Sequence, residues 1–79
     1  MMKQFYVKWE QNSWDGLVCS EVFNAPNLLE AVSNWAFYLR QKGLHISTKQ
    51  PIYLTQIPTF MSRKKALQKY DKISETFNR

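Results

Sequence analysis

The 79-residue chain predicts a single α+β domain: a small three-stranded, mostly antiparallel sheet in the order β-β-α-β-α with its helices packed on one face. Three observations predict it. Residues 27–43 carry a helix start, an amphipathic interior and a helix stop; residues 3–23 hold two strand-like runs around an Asp-Gly turn; and a second amphipathic helical pattern begins after Ser62.

The first run, KQFYVKWE over 3–10, alternates Phe5, Val7 and Trp9 with Tyr6, Lys8 and Glu10, the period of a strand with one buried face. The segment QNSWDG then closes on Asp-Gly, where glycine accepts positive φ and aspartate bonds back to its own backbone, so a hairpin turn is expected with Trp14 at its tip. GLVCSEVF over 16–23 is rich in β-formers and would pair antiparallel with the first strand. Its buried face is left open, because Leu17, Cys19 and Phe23 compete with Val18 and Val22.

Pro26 disfavours helical geometry in the residue before it and so marks the turn into the central helix. Asn27 is a good N-cap, Glu30 sits where a capping-box carboxylate reaches back, and Gly43 can take the left-handed conformation that ends a helix. Between them Leu28, Val32, Trp35 and Leu39, flanked by Ala31 and Ala36, form one apolar stripe. Phe37 projects from the polar side. Beyond Gly43, Ile52 to Ile57 is the better strand, Leu44 to Ser47 a short strand or a return of the chain, and Pro58 a stop.

Ser62 is an N-cap for a helix over 63–78, in which Ala66, Leu67, Tyr70, Ile73 and Phe77 share one arc. Lys65, Lys69 and Lys72 share the opposite arc, while Asp71 and Glu75 fall to the flank beside Lys64. Arg63, Lys64 and Lys65 stand in the first turn, where the helix dipole makes cations unfavourable by a few tenths of a kcal/mol, roughly. Stability alone would not place them there.

Charge follows the same division. Residues 1–34 carry two cations against four acids, a balance of −2, and residues 35–79 carry nine against two, a balance of +7. The early part is therefore expected to be scaffold, and the late part to project the field of the net +5 chain.

Five Phe, four Tyr and three Trp can fill a core without a disulfide or a metal. One cysteine forms no internal disulfide, which suits a reducing compartment, the cytoplasm; no apolar run spans a bilayer, and the N-terminal residues lack the apolar core of a signal peptide. An enzyme is not expected. His45 and Cys19 are single of their kind with no spacing that orients an acid behind a base, the carboxylates match no zinc or calcium pattern, and Gly16 and Gly43 make no phosphate loop, so no cofactor is implied.

Two binding readings remain. A cationic helix face of Lys65, Lys69 and Lys72, extended by Arg63 and Lys64, can neutralise phosphates of nucleic acid or a nucleoprotein; the ordinary alternative is a solvated face. FYVKW is similar to the aromatic strand of an RNA-recognition sheet, where rings stack on bases, although alternation in a buried strand explains the same pattern. The second reading is a protein-interaction module, an inhibitor or adaptor of the kind mobile elements encode, or a homodimer. Its anchors would be Phe37, Trp14 or a sheet edge; against this, Phe37 is expected to be covered by the C-terminal helix, and Trp14 either stands free or folds back over the hairpin. A hairpin followed by a turn and an NLLEAVSNW-type helix resembles the outline of the HicB antitoxin core and of small phage-encoded inhibitors. That likeness transfers no site residue.

Overall fold

The computed structural model describes residues 2–12, 17–43 and 51–77, without the side chains of 11, 12, 17 and 75–77. Its elements are β1 (Lys3–Asn12), β2 (Leu17–Ala25), α1 (Leu28–Gln41), β3 (Tyr53–Ile57) and α2 (Arg63–Phe77). The fold is α+β in the expected order. β1 lies at the centre of the sheet, whose strand order is β2-β1-β3, and both of its pairings are antiparallel.

One expectation about the architecture is corrected. The helices do not share a face: α1 covers Phe5, Val7 and Trp9, whereas α2 covers Tyr6 and Lys8. The central strand is therefore buried on both sides rather than one. Register makes the division strict, because residues opposed across an antiparallel pair share a face. Phe5 faces Phe23 and Trp9 faces Cys19 beneath α1, while Tyr6 faces Val22 and Lys8 faces Ser20 beneath α2. Both candidate faces of β2 are thus used. FYVKW also loses its base-stacking reading, since Phe5, Tyr6 and Trp9 are each at most 2% exposed.

The α1 face carries the larger aromatic core. Trp9 meets Trp35 at 6.2 Å and Tyr38 at 6.0 Å, and Phe23 meets Tyr38 edge-on at 5.5 Å, with Leu39 completing the cluster. Glu30 N–H donates to Asn27 Oδ1 at 2.9 Å, and Gly43 stands at φ 68° beyond the C-cap Lys42, so both end signals of α1 are realised. The stripe is shorter than its pattern. Ala31, Trp35 and Leu39 are buried, but Leu28, assigned to the core, is exposed in the first turn together with Leu29.

Beneath α2 the packing is mixed. Tyr6, Ile57 and Ala66 are buried among Val22, Tyr53, Met61, Leu67 and Tyr70. The Asp-Gly turn, Trp14, residues 44–47 with His45, and the side chain of Phe77 lie outside the described residues. Among the described residues no helix is long and apolar enough to cross a membrane.

Candidate functional site: the cationic face of α2

α2 is held against the sheet by polar bonds as well as apolar ones. The Tyr6 hydroxyl donates to Asp71 Oδ1, and the Ser20 hydroxyl donates to the same oxygen at 2.8 Å. Lys8, only 8% exposed, donates from Nζ to Ser74 Oγ at 2.9 Å, and Ser74 donates in turn to the Asp71 carbonyl at 3.1 Å. A lysine this buried is costly unless its donors find acceptors, so the bond to Ser74 helps fix where the last turns of the helix sit. Lys8, Val18, Cys19, Ser20 and Asp71 line a cleft of about 240 Å³ beside this network. Burial and the hydrogen bond to Asp71 push the Tyr6 hydroxyl up to about 12, and burial pushes the Cys19 thiol up as well.

Among the described side chains of α2, charge is segregated by sign. Asp71 is turned under the helix toward Tyr6 and Ser20, while Lys64, Lys65, Lys69 and Lys72 are all exposed. The wheel position that put Asp71 on the flank is realised as an inward bond. At 1.5 Å rise per residue, Lys65 to Lys72 covers about 10 Å of helix on the solvent side. Lys69 Nζ rests 5.7 Å from the centre of the Tyr70 ring, a cation–π contact that directs the stem along the helix without neutralising its charge.

Arg63 departs from the role the sequence suggests. Its Nε and Nη2 donate to the two oxygens of Glu21 at 2.6 and 2.8 Å, a bidentate pair from the head of α2 to the edge strand β2. The guanidinium holds Glu21 below the usual carboxylate range. Glu21 Oε2 also accepts the Val22 N–H, and the Asn24 carbonyl accepts from Asn34 Nδ2, so part of the β2 edge is occupied by side chains. Arg63 is thus a clasp for the helix, and the other described cations of its exposed surface are the four lysines.

The alternative anchors separate. Phe37 is 55% exposed on the outer side of α1 and is not covered by α2, which lies on the opposite face of the sheet; the expected cover is corrected. Trp14 lies outside the described residues.

One residue that the sequence pattern passed over stands at the head of α2. Phe60 is 90% exposed, the largest exposure among the described large apolar side chains. A ring left in water forgoes about 1.5–3 kcal/mol of burial. Its turn is fixed on both sides: Met61 N–H bonds to the Pro58 carbonyl at 3.2 Å, and Gln4 Nε2 reaches the carbonyls of Pro58, Thr59 and Met61 at 2.8–3.0 Å. Met61 packs inward and Phe60 is left outside. Phe-Met in a short connection carries no periodicity, so only the direction of the turn distinguishes the two. Compared with family models, curated proteins and solved structures, the chain has no match.

Proposed function

We propose that this protein is a non-enzymatic docking module, acting in a reducing compartment such as the cytoplasm, that binds an anionic partner through the outer face of α2. The partner class is nucleic acid or a nucleoprotein. Lys65, Lys69 and Lys72 form the contact, Lys64 extends it at the helix start, and Arg63 holds the helix through Glu21. The observation that supports this reading is the exposure of Lys64, Lys65, Lys69 and Lys72 along one helix, with the flanking Asp71 bonded inward to Tyr6 and Ser20. Helix stability does not favour Lys64 and Lys65 at a positive dipole end.

Four lysines on a phosphate backbone give a salt dependence of about −3 in log K against log salt for a single strand, taking about 0.7 per contact. Reversal of Lys65, Lys69 and Lys72 to Glu is expected to abolish retention on heparin and binding to labelled nucleic acid, while the folded circular dichroism spectrum persists. Unchanged retention removes the proposal.

The exposure of Phe37 favours a second reading, a protein-interaction module or homodimer anchored on α1. Salt separates the two, because an aromatic interface responds little to ionic strength. Light scattering at two concentrations tests the dimer, and Phe37→Ala should dissociate it.

A further inference from the structure

We propose that Phe60 is a base-stacking anchor and that the partner of the α2 face is single-stranded nucleic acid, an inference that rests on the cationic docking face above and adds its substrate class. Two independent features meet at the head of α2. One is a nearly fully exposed ring, and the other is a run of exposed lysines that begins four residues later at Lys64. Four residues span at most about 14 Å even when extended, so a strand of a few nucleotides stacked on Phe60 is long enough to reach Lys64 and Lys65.

The ring is presented rather than left loose. Gln4 projects from the central strand and contacts three carbonyls of the Phe60 turn, tying it to the most buried strand of the domain. A ring whose backbone is already fixed loses little freedom on binding. Single strands supply what this arrangement lacks: an unpaired planar base for the ring and a phosphate in each nucleotide for the lysines. In a duplex the bases are already stacked and paired, so only the lysines engage. An apolar protein pocket would cover Phe60, but it would bring its rim against uncompensated cations.

The test is fluorescence anisotropy with a labelled oligothymidylate and a labelled duplex of equal length at fixed low salt, using the intact protein and Phe60→Ala, Phe60→Leu and Phe60→Trp. The expected result is tighter binding of the single strand. Ala and Leu should each weaken it by about 5- to 150-fold, Trp should retain it, and duplex binding should be equal in all four proteins. Melting temperatures should agree, since residue 60 touches solvent. Equal affinity for the single strand in the Leu variant and the intact protein overturns stacking in favour of an apolar contact. Salt-dependent binding with no strand preference and no effect of Phe60→Ala overturns this inference alone and leaves the cationic face standing. If the intact protein binds neither oligonucleotide, the underlying reading fails together with this one.

Discussion

At the scale of single residues, Tyr6 and Glu21 give the domain opposite responses to pH. Tyr6 titrates at about 12 in the folded chain against an ordinary 10.0, so its contribution to stability is fully present below pH 10 and is lost as pH rises toward 12. Glu21 lies below its ordinary 4.5, so its contribution is present above that value and is lost as pH falls through the depressed folded value. Glu21 should therefore contribute to an acid decline of the urea midpoint, and Tyr6, together with Cys19 from above its ordinary 9.0, to an alkaline one. Tyr6→Phe should flatten part of the alkaline decline, and Glu21→Gln part of the acid one. An alkaline limb identical in Tyr6→Phe would show that the Tyr6–Asp71 bond does not couple to folding. Neither residue stood out in the sequence. Tyr6 belongs to the half of an alternating strand expected to face water, and the partner of Glu21, Arg63, stands 42 residues later in the chain.

At the scale of elements, α1 and α2 are held by different means. α1 rests on aromatic packing and a capped start, and its boundaries were legible because Asn27 and Gly43 act within one turn of themselves. α2 contributes Ala66, Leu67 and Tyr70 to its interface and adds hydrogen bonds that join Lys8 to Ser74 and Ser20 to Asp71. Ser74→Ala should cost about 1–3 kcal/mol, because it withdraws the described acceptor from a buried ammonium. Urea unfolding measures it, and Lys8→Met combined with Ser74→Ala should recover most of the loss. A double variant no more stable than Ser74→Ala alone would show that Lys8 has another role. Sequence placed Lys8 on a solvated face, since a lysine between two aromatics in a strand gives no sign that a second helix will cover it.

At the scale of the whole molecule, a central strand buried on both faces concentrates stability in a few large side chains. Trp35, 2% exposed against Trp9 and Leu39, is one of them. Trp35→Ala should cost about 3–5 kcal/mol, a large share of what a domain of this size possesses. Loss of the cooperative thermal transition at 37 °C is expected, and a melting temperature within a few degrees of the parent would contradict the two-layer core. The same construction relates core to surface. With one helix on each side of the sheet, the cations of α2 and the exposed Phe37 of α1 point in opposite directions.

The residues by themselves determined the element order, both ends of the central helix and the cationic arc of the last one, because each depends on neighbours within a turn or on strict periodicity. Tertiary structure alone decided that the second helix crosses to the far face, that Arg63 is a clasp, that Asp71 turns inward and that Phe60 is left in water. Those outcomes depend on which surfaces the folded sheet has left to cover, a quantity that no local pattern contains.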